Sequence, residues 1–284
     1  IGVMEENKDI RYELSFKRFK PETRSENVRD IEWRRISAFA KRWENVIEIK
    51  FRSLFKEQMN EILRKLMQKR AFELRGLEDF IDLDIEKWIE KFRGEIEDVV
   101  LDMLKSAFKR AIENMGESAS VYSFTEDNPV VTEVLNALNS QIRDINETTL
   151  KQLNELLKDE LSQWDGSAEK LREIANKIRE YFNSVALQRA KAIAITTATA
   201  GINASTQYAL EEVGVRYKVW LSQRDARVRD SHKELDGEKV SVDSAFKVRS
   251  RKGLVILRFP GDPQAPPEEV VNCRCYIIGT NKED

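Results

Sequence analysis

The strongest constraint on this chain is a helical repeat of apolar residues that persists through most of its first half. From Ile31 to about Arg75, apolar side chains recur at steps of mostly three and four, with Lys, Arg and Glu between them. These apolar positions are Trp33, Ile36, Ala40, Trp43, Ile47, Phe51, Leu54, Met59, Ile62 and Leu66. Because this spacing places them on one face, it predicts a single long amphipathic helix.

Two further long helices are predicted by the same spacing. After Gly76 and a short acidic connection the repeat resumes over residues 85–115, and a third helix begins at Asn128 and Pro129 and ends near Trp164. Asparagine at the N-cap followed by proline is a typical helix start. We interpret the three helices as a bundle with a shared core; a long exposed coiled-coil rod is the alternative.

The last third of the sequence mixes helices and strands. Helices are predicted at about 168–182 and 186–212, and a short helix at 227–235. Strands are predicted at 215–221, in the LVILRF run and at 276–278. The fold class is therefore α+β: an elongated N-terminal helical hairpin or bundle followed by a compact C-terminal α+β domain with a small β-sheet.

Three segments follow from this pattern. Residues 1–28 show no sustained period and are predicted to be an extended arm, residues 29–164 the long-helix bundle, and residues 165–284 the α+β domain. No stretch approaches the roughly 20 apolar residues that cross a bilayer, and the first residues lack the apolar core of a secretory signal. We expect a protein made in the cytosol, without a membrane partner.

Charge and cysteine content exclude two classes of protein, general nucleic-acid-binding proteins and disulfide scaffolds. The chain has 48 Lys+Arg against 50 Asp+Glu, a net charge of −2, so it lacks the basic excess of a general nucleic-acid-binding protein. Its 2 cysteines, Cys273 and Cys275, are separated by one residue, and a disulfide between them would close a small, strained loop. A disulfide scaffold is therefore excluded.

The single histidine and the two cysteines lie in the same predicted domain. In a short helix His232 shares a face with Val228 and Leu235, which predicts a buried structural histidine. The alternative is a zinc site of His232, Cys273 and Cys275, because these residue types suit Zn²⁺. Asp236 or Asp230 would be the fourth ligand. A CxC pair without a second pair is a weak zinc signal, and no other cofactor is predicted.

An arginine-rich segment spans residues 224–258. Its members are Arg224, Arg227, Arg229, Arg249, Arg251, Lys252 and Arg258. Arginine binds phosphate and carboxylate groups in bidentate fashion, so these residues are candidates for contact with DNA or a protein partner. The alternative is a solvated face with ion pairs to Asp225, Asp230 and Glu234.

The order of several blocks resembles the phage Mu F-like, or phage head morphogenesis, family of minor head proteins. The blocks are RAKAIAITTATAGINAS, VWLSQRDARVRDSH, LDG, FPGDPQAPPEE and NCRC, and the resemblance covers about residues 165–284. DARVRDSH, PGDP and NCRC together, in this order, are more specific than any one of them. One departure is Ile195, Thr196 and Thr197, where the family commonly has Arg-Thr-Glu.

The resemblance implies a structural protein rather than an enzyme. It implies a minor head protein of a tailed phage or prophage, made in the host cytoplasm and located in the virion, inside the head near the portal. Its implied partners are the portal protein, the major capsid protein or both, and some members are associated with DNA packaging or ejection. Other members are fused to portal proteins or toxin domains; because this sequence ends nine residues after Cys275, we expect no such effector.

Two other classes of function stay open at this point. A DNA-contacting protein would use the arginines of 224–258 and bind duplex DNA with a steep dependence on salt. A hydrolase-like or metal-dependent enzyme would use His232, Cys273 and Cys275, with a Cys–His pair as nucleophile and base. The enzyme requires these side chains to converge in an open cleft rather than pack in the interior.

Overall fold

The computed structural model describes residues 28–68, 84–163 and 165–283. The arm predicted at 1–28 lies outside the described residues except for its last position. The predicted end of the first helix, near Arg75 and Gly76, also lies outside them.

Helices account for most of the described chain, and the strands are confined to its last third. The elements in order are α1 (Val28–Gln68), α2 (Ile85–Asn114), a 3-10 turn (Ala119–Val121), α3 (Pro129–Ser162), α4 (Ala168–Tyr181), a π-helical turn (Phe182–Ala186), α5 (Leu187–Val213), β1 (Tyr217–Leu221), α6 (Asp230–Lys233), β2 (Lys239–Ser241), β3 (Phe246–Ser250), β4 (Gly253–Leu257), α7 (Pro267–Val270) and β5 (Tyr276–Thr280).

The predicted helices and the α+β class are confirmed. The start of α3 is as expected: Pro129 is its first residue, and Asn128 Oδ1 accepts a hydrogen bond from Val130 N at 3.0 Å. This bond satisfies one of the amides that has no partner inside the helix. The two helices predicted at about 168–182 and 186–212 are α4 and α5, joined by the π-helical turn.

The strands form two small antiparallel sheets. In the first, the order is β2-β1-β5, so β1 is central, with Tyr217 opposite both Ser241 and Thr280. In the second, β3 and β4 form a hairpin in which Phe246 lies opposite Leu257. The short strands β2 and β3 were not predicted, because three to five residues among turn signals give too brief an alternation.

The chain divides into two compact units. Among the described residues, those within Asn45–Val99 and Ala137–Ala194 form a helical unit. The described residues from Val28 to Glu44, within Val100–Asn136 and from Ile195 onward form a mixed unit. Each unit collects separate stretches of the sequence. The division at residues 28 and 164 proposed from the sequence stays a prediction.

The helical unit has an aromatic core. The Phe55 and Phe92 rings lie with centroids 5.2 Å apart in an edge-to-face arrangement, and Trp88 meets Phe92 in the same manner at 6.2 Å. Within this core Gln58 Nε2 donates a hydrogen bond to Asn146 Oδ1 at 3.1 Å. These contacts between separate helices support the bundle interpretation over an isolated rod.

Helix α5 is the central element of the mixed unit, and its residues from Ala198 to Ala204 are almost all buried, as its small side chains predicted. A Cβ at Gly201 would clash with the side chain of Met103 on α2, so the glycine allows the two helices to approach closely. Gly261 has a φ of 77°, and a Cβ there would lie 3.1 Å from the backbone nitrogen of Ala200. The loop after β4 thus packs directly on the α5 backbone.

Asn203 of α5 joins three parts of the C-terminal segment. Its Nδ2 lies 2.9 Å from both Pro260 O and Cys275 O, and its Oδ1 accepts a hydrogen bond from Ile277 N at 3.0 Å. The side chain is completely buried. In the absence of Asn203, these backbone groups would be left without partners in the interior.

We expect Asn203→Ala to lower the free energy of unfolding by about 2–4 kcal/mol, because it leaves buried backbone donors and acceptors unpaired. Urea unfolding measures this loss. Asn136→Ala, at an exposed position of α3, is the matched control and should change stability by less than about 0.5 kcal/mol. Equal effects of the two substitutions would contradict the role of Asn203.

Lys218 on β1 is a buried lysine. Its Nζ donates a hydrogen bond to Gln207 Oε1 at 2.9 Å and lies 5.7 Å from the centre of the Phe246 ring. Burial lowers the pKa of Lys218 to about 8, and the nearby carboxylates of Glu211 and Asp243 offset only part of this effect. The charged form of Lys218 is therefore less favourable in the folded chain than in the unfolded one.

The lowered pKa of Lys218 makes the free energy of unfolding depend on pH in a direction that can be tested. Because the pKa of Lys218 in the folded chain lies below the ordinary lysine value of 10.5, the unfolded chain binds more protons between these two pKa values, and stability rises with pH there. From about pH 7 to about pH 9.5, wild type should gain about 2 kcal/mol in unfolding free energy relative to Lys218→Met. Lys247→Met, at an exposed lysine of β3, is the control; a difference that does not change with pH would refute the expectation.

Candidate functional site

His232 is carried by α6, which is shorter than the helix predicted at 227–235. The carboxylate of Asp225 accepts a hydrogen bond from Arg227 N at 2.9 Å and so forms a turn. Because residues 225–227 are in this turn, the helix begins only at Asp230. The helix start predicted near Arg227 was therefore wrong. The predicted inward orientation is confirmed, since His232 and Leu235 are buried.

Cys273 and Cys275 lie immediately before β5. The backbone approaches them through Asn272, which adopts a left-handed conformation with a φ of 58°, and Thr199 Oγ1 donates to Cys273 O at 2.7 Å. Asn203 holds Cys275 O in the same way. These bonds from α5 fix the backbone, so both thiols point toward α6.

The three side chains converge on one point. His232 Nδ1 lies 3.6 Å from Cys273 Sγ and 3.7 Å from Cys275 Sγ. On the other side of the ring, Nε2 lies 3.1 Å from Glu269 Oε2, an ion-pair distance without hydrogen-bond alignment. Ser231 Oγ donates a hydrogen bond to the same Glu269 oxygen at 3.0 Å.

The two thiols have opposite acidities. The hydrogen bond with Cys275, and then the neighbouring His232, lower the pKa of Cys273 well below its usual range despite its burial. The same hydrogen bond, together with burial, raises the pKa of Cys275. One negative charge is thus favoured at Cys273, and a second one is disfavoured unless a cation balances it.

The cluster is packed and has room beside it for water only. His232, Cys273 and Cys275 are 1–2% exposed. A recess of about 30 Å³ adjoins them, and its remaining lining residues are Gln223, Asp225, Arg227, Val228, Arg229, Asn272 and Arg274. Such a volume holds a water molecule but is far below the few hundred Å³ of a typical substrate pocket.

Asp236 and Asp230, the predicted fourth ligands, lie elsewhere. Among the residues that the structure describes, the group of candidate ligand atoms within 4.8 Å of one another comprises His232, Cys273 and Cys275. The Asp236 carboxylate accepts a hydrogen bond from Ser222 N at 2.8 Å, and Asp230 pairs with Lys233 at 2.9 Å. Metal binding itself stays a prediction.

Glu269 is a site residue that the sequence reasoning missed. It is buried on α7, the short helix that follows Pro266 and Pro267. The only signal was its position inside the FPGDPQAPPEE block, because a buried glutamate in a four-residue helix has no periodicity to reveal it. Its partner His232 is far away in sequence.

The departure at Ile195–Thr197 also falls beside this site. Thr196 Oγ1 accepts a hydrogen bond from Asn272 N at 3.0 Å, directly before Cys273. Thr196 and Thr197 are both buried. Thr196, the position of the triplet at which the family pattern also has threonine, thus supports the backbone that carries the cysteines.

The first two predicted contact arginines are paired within the chain. Arg224 Nε donates to Asp236 Oδ2 at 2.6 Å, and its Nη1 lies 3.0 Å from Asp30 Oδ1. Arg227 forms an ion pair with Asp225 at 2.9 Å. These pairs agree with the interpretation of a face with internal ion pairs.

Arg229 and Arg258 are also engaged. Arg229 donates a hydrogen bond to Val271 O, and Arg258 Nε donates to Asp262 Oδ2 at 2.9 Å while its Nη2 contacts Glu133. The hydrogen bond to Asp262, supported by Glu133, raises the pKa of Arg258. Arg258 therefore joins the loop after β4 to α3.

Arg249 and Arg251 belong to the exposed hairpin. Arg249 lies on β3 opposite Leu254 of β4, next to the pair formed by Lys247 and Ile256. In this alternating register these four side chains share the outward face of the hairpin, and all four residues are exposed. Arg251 is exposed in the turn. We call Lys247, Arg249, Leu254 and Ile256 the hairpin face.

The described part of the chain contains no helix with both the length and the apolar character needed to cross a membrane. This finding fits the absence of such a stretch from the sequence.

Comparisons with known proteins agree with the sequence motifs. The profile of the family described as phage Mu protein F like protein matches residues 141–278. An NAD(+)–arginine ADP-ribosyltransferase, EFV, from Enterococcus faecalis (strain ATCC 700802 / V583) is 34% identical over 110 residues, which cover 37% of this chain and 21% of that protein. No solved structure matches the chain. Residues 141–278 therefore match the phage Mu protein F-like family, as the order of the motifs predicted.

Proposed function

We propose that this chain is a minor head protein of a tailed phage or prophage that associates with the portal protein during head assembly and stays in the virion. The observation that carries the proposal is the match of residues 141–278 to the phage Mu protein F-like family. This family is generally structural, and its members belong to phage head morphogenesis.

The packing of the His–Cys cluster supports a role without substrate turnover. A Cys–His nucleophile must reach a substrate, whereas His232, Cys273 and Cys275 are almost fully buried beside a recess that admits only water. The relative from E. faecalis is named as a transferase, but this chain spans about a fifth of its length. We therefore propose an assembly protein rather than an enzyme.

The hairpin face is the surface that we propose for the partner. Leu254 and Ile256 are 63% and 53% exposed, and Lys247 and Arg249 lie directly opposite them. Exposed apolar side chains bordered by cations suit a partner surface that is apolar at its centre and acidic at its rim. Such complementarity is what an interface inside an assembled head requires.

Co-expression with the portal protein of the same phage tests this proposal. We expect the two proteins to co-elute and electron microscopy to place this chain on the portal ring. Leu254→Ser combined with Ile256→Thr should weaken the complex about tenfold, because two apolar contacts at the centre of an interface are lost. Val121→Ser, at an exposed valine of the 3-10 turn, should leave binding unchanged. Failure of the wild-type chain to bind either the portal or the major capsid protein would refute the proposal.

A second candidate function, contact with DNA, is favoured by one observation. Arg249 and Arg251 are exposed on the hairpin, whereas the other predicted arginines are engaged within the chain. Lys247 adds a third exposed cation on the same element. This set is small, so it suits a local contact with a few phosphates rather than general DNA binding.

Duplex DNA binding at increasing salt concentration separates this candidate from a purely protein-binding role. If the hairpin contacts DNA, Arg249→Ala with Arg251→Ala should flatten the slope of log K against log salt by about 2, close to 0.9 for each lost phosphate contact. Arg172→Ala with Arg179→Ala, two exposed arginines of α4, controls for the same loss of two positive charges. Absent or salt-independent binding would remove the candidate.

A further inference from the structure

The His–Cys cluster has the dimensions of an occupied metal site. Typical Zn–S and Zn–N bonds of about 2.3 Å and about 2.05 Å, arranged tetrahedrally, separate the sulfur and nitrogen ligands by about 3.5 Å. The two distances from His232 Nδ1 to the cysteine sulfurs are 3.6 and 3.7 Å. Both nitrogen–sulfur distances therefore match those around one shared ion, and all three ligand atoms lie within 4.8 Å of one another.

Hydrogen bonding alone explains the cluster poorly. An imidazole nitrogen carries either one hydrogen or one lone pair, so Nδ1 of His232 cannot make a strong hydrogen bond with both Cys273 and Cys275. All three side chains are buried, and an unsatisfied polar group in the interior is costly. A divalent cation satisfies all three at once and balances two thiolate charges.

Glu269 completes the arrangement from the far side of the ring. A histidine that binds a metal through one nitrogen commonly donates its other N–H to a carboxylate, which fixes the ring and its tautomer. Glu269 Oε2 lies 3.1 Å from His232 Nε2, and Ser231 Oγ donates to this carboxylate at 3.0 Å. Glu269 therefore lies where the outer carboxylate of a metal-binding His232 is expected, at ion-pair distance from Nε2.

We propose that His232 Nδ1, Cys273 Sγ and Cys275 Sγ bind one Zn²⁺ ion, with water from the adjoining recess as fourth ligand and Glu269 as the residue that positions His232. Zinc is the expected ion because sulfur and imidazole ligands in a tetrahedral arrangement suit it. The site does not depend on the proposed function in the head.

The ion would link distant parts of the chain. His232 is 41 and 43 positions away from the two cysteines, so zinc closes a long loop between α6 and the segment before β5. Closing a long loop removes conformational freedom from the unfolded chain. Zinc at this site would therefore link α6 to the segment before the last strand.

Metal analysis of the full chain, expressed with zinc in the medium and purified under reducing conditions, tests the proposal. We expect about one zinc per chain. Because the sequence contains only 2 cysteines, a mercurial reagent that titrates both thiols should release this zinc to a chromogenic chelator. Cobalt should replace it and give thiolate charge-transfer absorption. This part of the experiment uses the wild-type chain, so it does not depend on the folding of any variant.

Variants locate the ligands. Cys273→Ser and Cys275→Ser should reduce the zinc content to background, and Glu269→Gln should weaken zinc binding about ten- to a hundredfold. Asp236→Asn is the matched control: this carboxylate lies near the site in sequence but contacts Ser222 and Arg224, so zinc content should stay unchanged.

Several results would overturn the assignment. These are a reduced wild-type chain that takes up neither zinc nor cobalt, zinc that stays bound after both thiols are titrated, a loss of zinc in Asp236→Asn equal to that in the cysteine variants, and a Cys273–Cys275 disulfide in the folded chain.

Discussion

The mixed unit depends on polar side chains of α5 that hold the backbone of the C-terminal segment. Thr199 and Asn203, one helical turn apart, bind the carbonyl groups of Cys273 and Cys275, and Asn203 also accepts from Ile277 N. These groups come from a segment that enters β5, where its next residues pair with β1. The same helix therefore fixes the edge of the sheet and the direction in which both thiols point. Small neighbouring residues allow this approach, since longer side chains would hold the segment away from the helix.

The sequence predicted what depends on long periodic patterns. The long amphipathic helices repeat over many turns, and their limits agree with the structure to within a few residues wherever the chain is described. The inward position of His232 followed from its spacing to Leu235. Part of the element order along the last third was also accessible, namely β1, α6, β4 and β5, because glycine and proline turns separate these segments.

What the sequence could not give depends on contacts between distant residues. The start of α6 depends on the Asp225 turn, and the pairing of Asp236 with Arg224 removed a candidate ligand from the cluster. Glu269 reaches His232 only after the proline-rich loop has folded back. The arginines of 224–258 are a second example. The sequence reveals their charges, but carboxylates elsewhere in the fold determine which arginines stay available to a partner.

The discontinuous composition of the mixed unit has a consequence for biosynthesis. Trp33 Nε1 near the beginning of α1 donates to Arg274 O at 2.9 Å, and Arg274 Nε lies 3.9 Å from Glu44. Residues separated by about 240 positions thus meet in one unit, which cannot close until residue 274 has left the ribosome. Until then, the apolar face of α1 that this unit covers stays partly exposed. The nascent chain is therefore vulnerable to aggregation and to chaperone capture until the segment that enters β5 has been made.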